Sequence, residues 1–368
     1  MSVKIGDAVY DVRDFGAVGD NKTDDTGAIQ AALGACVPEG GTVLLPAGYA
    51  FSSFALTINN SNTELRIEGT LVVNDDRDSW PGELDFITGK YLDDVVIDGG
   101  GVVDGNGWVW WQNRDDFRPK LVSLKEGERA LLHNITFENP PNHCLELSTS
   151  WLELSHVTVT APPSTGVPVE SHNTDAVDVH GPYMYVHDVV FDTGDDNVAV
   201  HANHTLVERS YFGHGHGASI GSLCDSWLTN LTVKDVVFNA TTQAARIKTR
   251  PKCAGRVWAI RYENLAMIDV ETPIVIDMFY PDDGTHDVTT MKIINVTFSN
   301  ITATGGIIKD DASITCDPES PCEDLVFHDL AFSEGYDTTW TCGAVKSADI
   351  NDVSPPGLSD CVAHSYAD

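Results

Sequence analysis

The sequence predicts an all-β, single-domain parallel β-helix with a short capping helix near its N-terminus. Three observations point there. Short alternating segments recur along the chain: 133-HNITF-137, 155-SHVTV-159, 187-HDVVF-191, 208-ERSYF-212, 234-KDVVF-238, 263-ENLAM-267, 294-INVTF-298 and 328-HDLAF-332. Each has a polar entry followed by apolar residues at period two, and successive copies lie between 21 and 34 residues apart, as expected for one coil per repeat. Helical periodicity is nearly absent, and Asn-Gly hairpin turns do not join neighbouring segments, which argues against a sandwich.

The one helical segment is 25-DTGAIQAALGAC-36, with Asp24 or Asp25 available as cap and Ile29, Ala32 and Leu33 on one face. A helix there would close the open end of the coil stack, because an uncovered terminal coil exposes unpaired backbone groups. No Pro-, Gly- or Ser-rich linker interrupts the chain. Residues 1–368 are therefore expected to form one domain, with a cap region over about 1–60 and disulfide-rich coils and tail over about 310–368.

Composition limits the partners. The formal charge of −33 provides no net positive field for nucleic acid or an anionic membrane, so an acidic substrate would need a local basic patch. No apolar run reaches the roughly 18 residues of a membrane span. Export is expected on two grounds. Of eight cysteines, Cys316, Cys322, Cys342 and Cys361 crowd the C-terminal end without histidines at zinc-finger spacing, and so read as local staples. Eight Asn-x-Ser/Thr acceptors occur, at Asn21, Asn59, Asn134, Asn203, Asn230, Asn239, Asn295 and Asn300. No apolar signal core precedes 8-AVYDVRDFGAVGD-20, so an exported form is expected to have lost its leader. The expected species is a secreted, extracellular monomer.

In a coil stack, residues one coil apart become neighbours about 4.8 Å apart. Starting from Asp195 and Asp196 in 191-FDTGDDNVAV-200, twenty residues back from Asp195 is Asp175 in 172-HNTDAVDV-179, and twenty forward from Asp196 is His216 in 213-GHGHGASIGSL-223. The following coils hold 245-ARIKTR-250 and Tyr280 in 273-PIVIDMFY-280. Strand alternation puts Arg246 and Lys248 on the outer face and Ile247 in the core. Three carboxylates, a histidine, two cations and a tyrosine make a poor structural element and a plausible active site. Each is bland alone: Gly-Asp-Asp is an ordinary solvated turn, His216 has a rival in His214, and Arg246 and Lys248 could be a solvated strand face.

At Asn173-Thr174-Asp175, Gly194-Asp195-Asp196, Gly215-His216-Gly217 and Arg246-Ile247-Lys248, in that order, the chain resembles the polygalacturonase family of glycoside hydrolases, family 28. The likeness extends to 14-DFGAVGDNKTDDTGAIQAAL-33 and covers residues 14 to 280. It implies a right-handed parallel β-helix that hydrolyses α-1,4-galacturonosyl links in pectin with inversion and with no metal or cofactor. It also implies roles. Asp195 would be the general acid, Asp175 and Asp196 would hold and deprotonate the water, and His216 would support the acid. Arg246 and Lys248 would grip galacturonate carboxylates, with Tyr280 against the same sugar and Asn173 in the binding loop. Asp178, His143 and Arg118 are further candidates for substrate binding, the last two at outer subsites. The chemistry fits, since inversion needs one protonated and one ionised carboxyl, and clustered aspartates cannot all ionise at their ordinary pKa.

Two positions depart from the family pattern. Asn197 stands where many members have cysteine, removing any disulfide tether there. Ala176 stands where glycine is common, which suggests a negative φ. Rhamnogalacturonan or xylogalacturonan hydrolysis on the same fold, a calcium-dependent pectate lyase and a non-catalytic carbohydrate-binding β-helix are the alternative readings.

Overall fold

The computed structural model describes residues 2–112, 116–281, 288–305, 313–333, 340–354 and 357–358. The chain divides into two compact units, Met1–Asp195 and Asp196–Asp368. Both are built from coils of parallel strands. In the first unit, one sheet runs through Leu56–Ile58, Ile87–Lys90, Val122–Lys125, Leu145–Leu147 and Val177–Val179. In the second, the corresponding ladder is Val198–Val200, Ala218–Leu223, Gln243–Thr249, Thr272–Asp277, Ser313–Thr315 and Thr341–Gly343. The candidate site residues lie on or beside these two ladders.

Longer bent strands form the rest of each coil, and the recurring sequence segments sit on them. The second residue of every segment adopts a left-handed conformation: Asn134, His156, Asp188, Arg209, Asp235, Asn264, Asn295 and Asp329 all have φ between 47° and 56°. That single residue turns the strand through a corner, and asparagine and aspartate are favoured because they tolerate this region best. The polar entry read from the sequence is therefore a corner. The corners also form two columns, which corrects one member of the repeat. Glu263 pairs with Ser299, and Leu265 with Ile301, so the true counterpart of 263-ENLAM-267 is 299-SNITA-303. The segment 294-INVTF-298 belongs to the other column, above Asn230 and Ala259.

The same geometry explains much of the Asn-x-Ser/Thr count. Asn21, Asn134, Asn230, Asn295 and Asn300 are all left-handed. On the outside of the second unit the corner amides form a ladder, with Asn300 donating to Asn264 at 2.7 Å and Asn264 donating to Asp235 at 3.0 Å.

Inside the coils, alternate residues stack on their own kind. Phe298 lies between Tyr262 and Phe327, with ring centroids 5.4 and 5.2 Å apart and planes within 8° of parallel. The buried Tyr262 hydroxyl reaches the carbonyls of Ala218 and Arg246 at 3.1 and 3.2 Å. An aromatic core stack thus props the strand that carries Arg246.

The capping helix spans Thr26–Ala35 and buries Ile29, Ala32 and Leu33, as the periodicity predicts. Asp24 accepts from the Thr26 amide, whereas Asp25 turns back to accept from Val18 and Gly19. The helix also seals the first coil. Gln30 donates to the Thr57 carbonyl and accepts from the Thr57 amide, satisfying the edge strand Leu56–Ile58. Disulfides join Cys224 to Cys253 and Cys316 to Cys322, and Cys342 is also disulfide-bonded. The second pair is one of the predicted C-terminal staples; Cys361 lies outside the described residues. Among the described residues no helix is long and apolar enough to cross a membrane.

One half-buried acid makes stability depend on pH. Asp98 is paired in register with Arg66, beside Glu64, which accepts from Thr42 and Arg66. Burial, and then the neighbouring Glu64, raise the Asp98 carboxyl to about 7 from 3.8, against an opposing pull from Arg66. Between those two values the folded chain holds a proton that the unfolded chain releases, so this group's contribution is full below 3.8 and fades as pH rises to about 7. Asp98→Asn should flatten the fall in Tm across that window. A variant whose Tm tracks that of the parent at every pH would contradict this assignment.

Candidate active site

The residues singled out by the sequence fall into two groups, one in each unit. In the first unit, Asp175 is buried just ahead of the strand Val177–Val179, and Ala176 behind it is fully buried without a left-handed backbone. The left-handed residue of this motif is Asn173, with φ 55°. Gly194 is required by close approach: a Cβ there would lie 2.1 Å from the Ser171 carbonyl and 2.9 Å from Thr174 Oγ1. Its amide donates to that same hydroxyl at 2.9 Å. The glycine before the aspartate pair therefore clasps the Asn-Thr-Asp loop twenty residues upstream, which is the coil step expected from the sequence. Asp195 itself is partly exposed.

Arg118 is placed differently from the outer-subsite expectation. It is buried, and its guanidinium donates to the carbonyls of Pro141 and His172 and to Asn173 Oδ1 at 2.9, 2.6 and 3.1 Å. Its fork holds the loop that presents Asp175. His143 lies one coil before Asp175, where the Cys144 amide donates to the Asp175 carbonyl at 2.8 Å. Its Nδ1 is 2.7 Å from Asp178 and its Nε2 3.6 Å from Asp175. Burial works against the charged imidazole, but the two carboxylates outweigh it and raise the group to about 9. Asp178 is itself buried, flanked by the buried Val177 and Val179.

In the second unit, Asp196 is buried and surrounded by donors. Lys248 Nζ donates to one oxygen at 2.7 Å, Ser219 Oγ to the other at 2.6 Å, and Arg246 Nη1 stands 3.7 Å away. Arg246 and Lys248 project from Gln243–Thr249, with Ile247 fully buried between them as alternation requires. Lys248 is more deeply placed than a solvated strand face would be, at 5% exposed. The Tyr280 ring receives both cations, at 5.2 Å from the Arg246 guanidinium and 5.1 Å from Lys248 Nζ. A ring nitrogen of His216 lies within 4.8 Å of an Asp196 oxygen.

Asn197 supplies a hydrogen-bonded tether in place of a cysteine's disulfide. Its side chain donates to the Gly213 carbonyl at 3.1 Å and accepts from the Gly217 amide at 2.9 Å, bracketing the turn that carries His216. Gly217 has φ 75°, and a Cβ on it would lie 2.4 Å from the Gln243 carbonyl. Ser219 was not anticipated from the sequence. Its signal is its register opposite Arg246 in the parallel ladder, which appears only once coil lengths are known.

Comparison with known proteins gives a consistent result. The family model described as glycosyl hydrolases family 28 matches residues 38–353. A probable polygalacturonase of Arabidopsis thaliana is 30% identical, covering 95% of this chain and 79% of its own length. Among solved structures, an exopolygalacturonase from Thermotoga maritima superposes with a TM-score of 0.82 at 19% identity over 95% of this chain and 93% of its own. An endo-xylogalacturonan hydrolase from Aspergillus tubingensis gives a TM-score of 0.80 at 22% identity over 94% and 100%. The architecture is the right-handed parallel β-helix of polygalacturonase structures. By its family match, its relatives and its fold, the chain belongs to family 28 of the glycosyl hydrolases.

Proposed function

We propose that this glycoside hydrolase is a secreted polygalacturonase that cleaves α-1,4-galacturonosyl links with inversion, using carboxyl groups as its acid and base. The observation that carries this reading is the environment of Asp196. A buried carboxylate that accepts from Lys248 and Ser219 on its two oxygens suits the task of holding and deprotonating water. Beside it, the Arg246 fork supplies the local positive charge that an anionic sugar needs on a chain of net charge −33.

The remaining roles follow family position and sequence spacing. Asp195 donates its proton to the glycosidic oxygen as the bond to C1 breaks. Water, oriented by Asp175 and Asp196, attacks C1 from the opposite face and gives up its proton to the base, leaving a new hydroxyl of inverted configuration. His216 supports the acid, and Tyr280 holds the two cations on its ring while contacting the sugar. Asn173 positions the loop of Asp175 through Arg118. No step in this scheme calls on a metal. The disulfides support an oxidising, extracellular setting.

Asp195→Asn preserves shape but cannot deliver a proton. Turnover of polygalacturonate should fall by at least about 10²–10⁴-fold with an unchanged melting temperature. Near-normal reducing-sugar release by the folded variant would remove Asp195 as the acid.

Arg246 and Lys248 should separate in their effects. Arg246→Ala should weaken KM on polygalacturonate far more than on fully methyl-esterified pectin, because the lost partner is the free carboxylate. Lys248→Ala strips a buried donor from Asp196 and should lower kcat on any substrate that is cleaved. Equal KM losses on both polymers for Arg246→Ala would count against carboxylate recognition.

A further inference from the structure

We infer that His143 is a positioning residue that keeps Asp175 in its ionised, water-activating form, acting as a fixed cation between Asp175 and Asp178. The inference rests on the reading of Asp175 as part of the catalytic base. It goes beyond the substrate-binding role that sequence position alone suggested for His143.

The geometry is that of a clamp. His143 lies two residues before Leu145–Leu147, a strand sandwiched in register between Val122–Lys125 and Val177–Val179. From the Val177–Val179 side, Asp178 lies 2.7 Å from Nδ1 and Asp175 3.6 Å from Nε2, so opposite edges of one ring face two buried carboxylates. From the Val122–Lys125 side Lys120 acts on His143, and its ammonium is engaged by Glu146 at 2.6 Å. Lys125 also pairs with Glu146, at 2.9 Å. Burial pulls the Glu146 carboxyl upward, but these two ammonium groups outweigh it and hold it at about 2, so Glu146 stays ionised and balances them. A further titratable neighbour is His180, which burial lowers below the ordinary histidine value. Arg118 is a further cation behind the Asp175 loop, engaged by the carbonyls of Pro141 and His172 and by Asn173 Oδ1, while His143 presents Nε2 to the Asp175 carboxylate itself.

The consequence has a definite sign. An imidazolium beside a carboxylate lowers the carboxylate pKa, typically by about 1–3 units within 4–6 Å. With His143 charged up to about 9, Asp175 keeps that assistance across the whole acidic range in which a carboxylic acid donor can work. Removing the charge raises the Asp175 pKa, so the base is lost to protonation at a higher pH. Asp178 orients the ring and supports its charge from the other edge.

The test is the pH profile of kcat/KM on a defined α-1,4-linked oligogalacturonate for the parent, His143→Gln, His143→Lys and Asp175→Asn. His143→Gln should move the acid limb up by about one pH unit, a loss of about tenfold below the limb that shrinks towards the optimum. His143→Lys, which restores a cation, should return the limb towards its parental position. If His143→Gln lowers kcat/KM by one factor at every pH with the limb in place, or if lysine does no better than glutamine, the inference is wrong. Should glutamine prevent folding, the lysine variant decides alone: a limb at the parental pH supports the role, and a limb displaced upward overturns it. Asp175→Asn separates the two levels of the argument. Retained activity in that variant would overturn the reading of Asp175 as a base, whatever His143 does.

Discussion

The whole arrangement depends on the left-handed corner. A strand of a parallel coil must bend without losing register with the coils on either side, and one residue at φ near 55° achieves this at each bend. Because the corners repeat in columns, the residues between them stay in register through the strands of each unit, from Glu263 with Ser299 to His328 with Asn351. Like residues then stack on like, giving the Tyr262, Phe298 and Phe327 rings inside and the Asp235, Asn264 and Asn300 side chains outside. Regular stacking is also what converts distance along the chain into chemical proximity. Thr174 meets Gly194 and Asn197 meets Gly217, each at a separation of twenty residues.

On that frame, carboxylates of the same type are differentiated by their partners. Asp196 accepts from a lysine and a serine, Asp178 faces an imidazole, Glu146 is held by two lysines, and Asp98 is pushed upward by burial beside another acid. Among the described residues the buried cations are Arg118 and Lys248, and both lie against residues of the candidate site, which on the proposed reading lets a strongly acidic chain hold an anionic sugar. The supports lie deeper still. Tyr262 braces the backbone of Arg246 from within the core, and Arg118 braces the Asn173 loop from behind. Each shows how a buried position can matter to the site.

How much of this was legible in the sequence follows from the same geometry. The repeats, the helix face of Ile29, Ala32 and Leu33, and the alternation of Arg246, Ile247 and Lys248 are local patterns, and local patterns survive without knowledge of the fold. Ser219, the tether made by Asn197 and the burial of Arg118 depend on which residues become neighbours. That in turn depends on coil lengths, which vary from 20 residues between Val198 and Ala218 to 38 between Val275 and Ser313. The displaced copy 294-INVTF-298 shows the limit. Two corner columns read alike in sequence, and only strand pairing distinguishes them.

The central claim is that carboxyl groups alone cleave a galacturonosyl bond by a single inverting displacement. Proton NMR of an oligogalacturonate during the first minutes of cleavage tests it most directly, because it reports the bond formed at C1 before mutarotation. The account predicts reducing ends that appear first as the β-anomer. Reducing ends that appear first as the α-anomer, or an unsaturated product with a vinyl proton signal, would contradict it.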